Sequence, residues 1–250
     1  LNLIIDIGNT RVKVALFEAN KPVQQWVYSY SQNELLAVAN TITNEIISHF
    51  EVKNAIVASV VEPLEDFVNK IKEAVPTLLF TSSTPIPITN NYQTATTLGS
   101  DRLAAAIGGN SLNKNKNLLV IDAGTCIKYN FVSEQNEYLG GAISPGLKMR
   151  FKALNHYTSR LPLIEANNDF HSLIGLSTQE SILSGVQNGM CMEIEGSIEQ
   201  YQQQFSNLEV ILTGGDAFFF EKRLKKPIFT DSLLILKGLN TILEYNLSFK

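Results

Sequence analysis

A chain of 250 residues with 44% hydrophobic side chains fits one large domain or two ordinary ones and can build a sizeable core. Its net charge of −4 gives no electrostatic footprint for nucleic acid or an anionic membrane; its densest basic stretch, residues 222–226, reads as a solvated helix end. Cys126 and Cys191 are too few for a disulfide framework and have no zinc-like spacing to His49, His156 or His171, which points to a reducing, cytoplasmic setting.

The chain opens with two apolar, β-branched runs flanking Gly8-Asn9-Thr10, the pattern of a hairpin whose first strand is buried. No charged leader precedes it, so no signal peptide is expected, and no apolar run approaches the roughly 18–20 residues of a membrane span. Asp6 lies inside the buried run, where a carboxylate needs a cation or hydrogen-bond donors. With the glycine turn, Thr10 and Lys13 it suggests a phosphate and metal cradle; the plainer alternative is that Asp6 ends a strand and the turn only reverses the chain.

Residues 22–30 read as a further strand with Val23, Trp26, Tyr28 and Tyr30, and Ser31 with Glu34 forms a capping box for an amphipathic helix. The continuous apolar run 55–61 is expected to be a central strand, Pro63 to open a second helix, and 78–80 to be a short strand. Strands followed by helix–strand alternation define an α/β chain. Residues 82–98 form a long polar loop, a length that is uncommon without a function. It ends at Gly99-Ser100-Asp101-Arg102, the start of a helix. Asp101 suits a first turn on its own account, but Arg102 opposes the helix dipole there, which favours an anion clamp.

Residues 110–117 hold four asparagines and two lysines and read as a polar linker. Domains of residues 1–115 and 116–250 follow. The second opens as the first does: Leu118-Leu119-Val120-Ile121-Asp122-Ala123-Gly124-Thr125 repeats strand, buried Asp, small turn and Thr, with another hairpin behind it. Two such openings indicate a duplicated domain. Gly140-Gly141-Ala142-Ile143-Ser144-Pro145-Gly146 is expected to join a strand to a helix, and residues 155–172 to be irregular. Ser177 and Glu180 cap a long helix running past Met190, and the strand 208–213 runs into Gly214-Gly215, a place where a nucleotide can meet backbone. A helix over 233–247 is expected to close the chain.

Asp6-Ile7-Gly8-Asn9-Thr10, Gly99-Ser100-Asp101-Arg102, Asp122-Ala123-Gly124-Thr125, the run 140–146 and Thr213-Gly214-Gly215-Asp216 together resemble the type III pantothenate kinases, in order and spacing, over nearly the whole chain. The hairpin motifs alone resemble the wider acetate and sugar kinase/Hsp70/actin superfamily. The resemblance implies two duplicated ribonuclease-H-like (actin-like ATPase) domains of mixed sheets flanked by helices, a nucleotide cleft between them, and a homodimer. It implies transfer of the ATP γ-phosphoryl group to the 4′-hydroxyl of pantothenate, the first step toward coenzyme A. By the same likeness Asp6, Gly8, Asn9, Thr10 and Lys13 form the first phosphate loop, Asp6 near Mg²⁺, with Thr125, Gly214 and Gly215 as further ATP contacts. Asp101 is the implied general base. Tyr92, Gly99, Ser100, Asp101, Arg102 and Thr178 are the implied pantothenate contacts, and Asp122 the implied ligand of a monovalent cation, K⁺ or NH₄⁺. The chain departs from the family after Thr125, where Cys126-Ile127-Lys128 replaces small and hydroxyl-bearing residues. Lys128 either supplies positive charge in or near the cleft, which puts the monovalent-cation requirement in question, or points to solvent as strand lysines commonly do. Absence of a Gly-X-X-X-X-Gly-Lys-Ser/Thr sequence excludes the P-loop solution.

Overall fold

In the computed structural model, which describes residues 1–31, 34–225 and 227–249, the opening apolar run is strand β1 (Asn2–Ile7), and every residue of it is buried. A turn returns the chain as antiparallel β2 (Arg11–Glu18), followed by β3 (Lys21–Ser29) at the sheet edge. On the other side β4 (Asn54–Ser59) and β5 (Thr77–Leu79) add in parallel, giving the order β3-β2-β1-β4-β5.

Strand alternation then sorts the side chains. Leu3, Ile5, Ile7, Val12, Val14 and Leu16 share a core with helix α1 (Leu35–Ile42) and helix α2 (Glu65–Lys72), chiefly through Val38, Ile42, Phe67 and Ile71. Asn2, Ile4 and Asp6 face the other way. The Glu34 carboxylate accepts the Ser31 N–H at 2.8 Å, a bond that lowers its pKa and supplies one half of the capping box. Gln32 and Asn33 of that box lie outside the described residues.

After the two-residue strand β6 (Thr89–Asn90) comes helix α3 (Ser100–Leu112), which packs along helix α8 (Leu234–Leu247). Their contact depends on absent side chains: a Cβ on Gly238 would sit 1.8 Å from the Ala104 carbonyl oxygen. Helix α8 also lies against β1 and β4, and its Asn240 bridges Asn2 (3.2 Å) and the Ala19 carbonyl (2.9 Å).

The second unit repeats this plan. Strand β7 (Asn117–Ala123), again wholly buried, pairs antiparallel with β8 (Cys126–Val132), which pairs with β9 (Glu137–Pro145). Strands β10 (Leu208–Thr213) and β11 (Phe229–Thr230) add in parallel, so the order within the unit is β11-β10-β7-β8-β9. Three antiparallel strands followed by two parallel ones is the topology of the first sheet. Helices α4 (Leu147–His156), α5 (Thr178–Leu183), α6 (Gly189–Gln204) and α7 (Ala217–Glu221) cover it, with a wide turn, Ser184–Asn188, making α5 and α6 one continuous rod. Leu119, Ile121, Ala123, Ile127 and Tyr129 face that helical core, while Asp122 and Lys128 lie on the opposite face.

Three details differ from expectation. The linker is only a turn: α3 continues through Leu112, and Asn117 already belongs to β7. Asn117 is buried because its side chain serves two loops, donating to the Ser206 carbonyl (2.9 Å) and accepting the Glu134 N–H (3.1 Å). Gly140 and Gly141 lie inside β9, where Gly141 passes so close to the Tyr129 carbonyl that no Cβ fits. Finally, the compact units are Leu1–Leu112 with Leu233–Lys250, and Asn113–Ser232, so the closing helix packs with the first unit.

Gly238→Ala should destabilise the protein by about 1–3 kcal/mol or more through overpacking, whereas Gly196→Ala, where a Cβ meets nothing within 4 Å, should add about 0.5–1 kcal/mol in urea unfolding. Burial, chiefly, pushes the Tyr129 hydroxyl up to about 12. The neutral phenol is then favoured in the folded state, so its contribution is intact below the unfolded value of about 10 and is lost as pH rises through the folded one. Melting between those limits should fall less steeply for Tyr129→Phe than for the parent.

Candidate active site

In the first unit, Asp6 stands at the end of β1 on the face shared with Asn2 and Ile4, and it is 7% exposed. The Gly8 N–H donates to the Arg11 carbonyl at 2.9 Å, closing the turn and leaving Asn9 and Thr10 exposed. The Tyr30 hydroxyl donates to the Gly8 carbonyl at 2.6 Å and fixes the turn from the side. Lys13 on β2 is the cross-strand partner of Asp6, so the ladder sets a lysine opposite the carboxylate.

The start of α3 is tied to these strand ends. The Val60 N–H bonds to the Ile7 carbonyl (3.1 Å), and the Ser100 hydroxyl donates to the Ser59 carbonyl (2.9 Å). Asp101 therefore opens α3 next to the ends of β1 and β4; its Oδ1 accepts the Arg102 N–H at 2.8 Å, and its side chain remains partly accessible. Arg102 is buried, and its guanidinium lies 5.5 Å from the centroid of the Tyr92 ring. That cation–π contact explains a cation in the first helical turn, where the macrodipole alone would disfavour it. Tyr92, Gly99, Ser100, Asp101 and Arg102, distant from Asp6 in sequence, form one constellation with the strand ends.

In the second unit, register sets Asp122 at the end of β7 beside Thr213 at the end of β10. Gly214 follows with φ +98°; a Cβ there would lie 2.2 Å from the Ala123 carbonyl and 2.5 Å from Asp122 Oδ1. Only glycine lets this loop close onto the carboxylate. The Asp216 N–H donates to the Ala123 carbonyl at 2.9 Å, while Gly215 borders open space. Thr125 is exposed at the tip of the β7–β8 turn, and its carbonyl accepts the Gly146 N–H at 3.1 Å. Lys128 turns to Asp122 rather than to solvent: its Nζ donates to Asp122 Oδ2 at 2.8 Å, with the two side chains 19% and 6% exposed.

Thr178 is exposed as the first residue of α5, behind Ser177, whose hydroxyl accepts the Glu180 N–H at 3.2 Å. It edges an apolar groove formed by Leu154, Leu161, Ile182 and Val186. One polar group escaped sequence reasoning. Arg150 on α4 donates to the Ser144 hydroxyl (2.8 Å) and the Pro145 carbonyl (2.9 Å) and pairs with Glu193 on α6. It braces the end of β9 behind Gly146. A lone arginine in an amphipathic helix carries no signal of this.

Among the described residues no group of three or more His, Cys, Asp or Glu side chains could hold a metal by itself. A lone strand-end carboxylate such as Asp6 is nevertheless a hard oxygen donor of the kind Mg²⁺ uses when phosphate oxygens and water complete its shell.

A sequence model of the type III pantothenate kinases matches residues 2–200. The chain is 44% identical over 247 residues to a type III pantothenate kinase of Bacteroides fragilis, covering 98% of each chain. It is 42% identical over 248 residues to that of Phocaeicola vulgatus, covering 98% of this chain and 99% of the other. Among solved structures, the activator of 2-hydroxyisocaproyl-CoA dehydratase from Clostridium difficile, with bound ADPNP, superposes with a TM-score of 0.53 at 13% identity, covering 99% and 96% of the two chains. At that identity the likeness concerns the fold, which is that of the actin-like ATPases and sugar kinases. The match along the chain to the kinase sequences is of a different order, and by it the chain belongs to the type III pantothenate kinase family.

Proposed function

We propose that this protein phosphorylates pantothenate with ATP, giving 4′-phosphopantothenate at the first step of coenzyme A synthesis. The observation that carries the proposal is the constellation at the start of α3. A partly accessible Asp101 stands beside a buried Arg102 whose guanidinium lies over the Tyr92 ring, and Ser100 ties this turn to the Ser59 carbonyl at the end of β4, the strand next to the one that bears Asp6. A phosphoryl acceptor hydroxyl needs a base within hydrogen-bond reach, and Asp101 supplies one. A small carboxylic acid needs a fixed cation, and a guanidinium offers two parallel donors. Gly99 and Ser100 set that first turn, and Thr178 adds a hydroxyl for the substrate.

On the ATP side, the Gly8-Asn9-Thr10 turn and Lys13 cradle phosphates in the first unit, and Thr125 with Gly214-Gly215 meets the nucleotide in the second. Asp6 would hold Mg²⁺, which neutralises charge on the transferred group. The monovalent cation is a different matter. Asp122 Oδ2 carries the Lys128 ammonium, and Oδ1 abuts Gly214. A K⁺ or NH₄⁺ ion on this carboxylate would compete with a cation already bonded to it, so these residues do not fit that group.

A homodimer is part of the same proposal. Leu173, Ile174 and Leu176 are exposed in succession, the last at 90%, close in sequence to Thr178 and its apolar groove. Contiguous exposed apolar surface of this sort marks an interface. Cys126 and Cys191 are free thiols, and no helix among the described residues is long and apolar enough to cross a membrane; a cytoplasmic setting accords with both.

Assays of purified protein with Mg-ATP against pantothenate, acetate and a panel of hexoses should show turnover of pantothenate alone; phosphorylation of a sugar in its place would overturn the assignment. Asp101→Asn should lower kcat by about 10²–10⁴-fold while ATP affinity stays within about twofold. Light scattering should give twice the 27.7 kDa chain mass, and Leu176→Asp should give the single-chain mass.

A further inference from the structure

The two hairpins share more than their aspartates. Asp6 is the cross-strand partner of Lys13, and Asp122 is the cross-strand partner of Lys128. The connections differ in length: β1 ends at Ile7 and β2 starts at Arg11, whereas β7 ends at Ala123 and β8 starts at Cys126. The register nevertheless restores a lysine opposite the aspartate in both, and in both the position falls on the face turned away from the helical core. In the second hairpin the contact is direct, Nζ to Oδ2 at 2.8 Å, with both side chains largely withdrawn from solvent. Exposed strand lysines contribute little through ion pairs. A lysine held this far from water, at the strand end beside Thr213 and Gly214, is placed for a site rather than for solubility.

We infer that Lys128 is the fixed cation of the second hairpin, the counterpart of Lys13, and that its ammonium takes the place of a dissociable monovalent cation at Asp122. This rests on the kinase reading above and deepens it. The charge that a bound K⁺ or NH₄⁺ would bring beside the ATP phosphates is here carried covalently by the chain. Asp122 then serves to position Lys128: it holds the ammonium in place.

The test uses the intact protein, desalted into choline chloride and compared with KCl, NH₄Cl and NaCl at one ionic strength, so that general screening is constant. Initial rates with Mg-ATP and pantothenate, and Mg-ATP Kd from calorimetry, are read in each salt. For the unaltered protein both quantities should agree across the four salts within about twofold, far below the coupling of about 5–150-fold typical of a linked effector. Lys128→Met should bind Mg-ATP at least about tenfold more weakly in choline chloride and recover most of that in KCl or NH₄Cl, as a vacated carboxylate site accepts the ion. Stimulation of the unaltered protein by K⁺ or NH₄⁺ by about tenfold or more overturns the inference, and needs no variant. So does a folded Lys128→Met protein whose ATP affinity in choline chloride equals the parent's, or whose weakened affinity no cation restores. Calorimetry separates this inference from the choice of acceptor: if ATP binding follows the expected pattern while pantothenate is not phosphorylated in any salt, the acceptor is wrong and the role of Lys128 stands.

Discussion

A carboxylate at the end of a fully buried strand is the constraint on which this molecule turns. Burying an unpaired charge is costly enough that the group is either compensated or lost. Both central strands, β1 and β7, accept that cost once, at Asp6 and at Asp122, while the rest of each strand is apolar apart from one asparagine at its start. At Asp122 the compensation comes from the neighbouring strand, where Lys128 Nζ lies 2.8 Å from Oδ2, and register sets a lysine opposite Asp6 as well. The sheets supply the rigidity, and the strand ends supply the charge.

Around these ends the two units differ. The first adds the start of α3, where a partly accessible Asp101 lies beside a buried Arg102 over the Tyr92 ring. The second adds Gly214, whose φ of +98° lets the backbone close on Asp122 and leaves Gly215 at open space. Two scaffolds of the same topology thus carry different loops at their strand ends.

Much of this was legible in the sequence, for physical reasons. Alternation and β-branched runs located the strands, a buried Asp marked each site strand, and the echo between Asp6 and Asp122 announced the repeated topology. What failed did so where composition and context parted. Asn110 and Asn117 look like linker residues, yet both are buried, the second because its amide serves two loops. Gly140 and Gly141 look like a loop but lie in β9, where the approach of the Tyr129 carbonyl excludes a side chain. The orientation of Lys128 stayed undecided because it depends on register, which the hairpin pattern alone did not settle. The Arg150–Glu193 brace, joining two helices, had no local signature at all.

Helix α8 has a consequence for how the molecule comes into being. The first unit is discontinuous in the chain: its sheet is complete by Leu79, but the helix that covers β1 and β4 and receives α3 is encoded after the whole of the second unit. During synthesis the continuous second unit can form its own core early, whereas the older half must wait with Ala104, Gly108 and Asn2 uncovered until residues 234–247 leave the ribosome. The half that carries Asp101 is therefore the first to be made and the last to close. Any truncation that removes α8 uncovers α3, β1 and β4 while leaving the residues of the second unit complete.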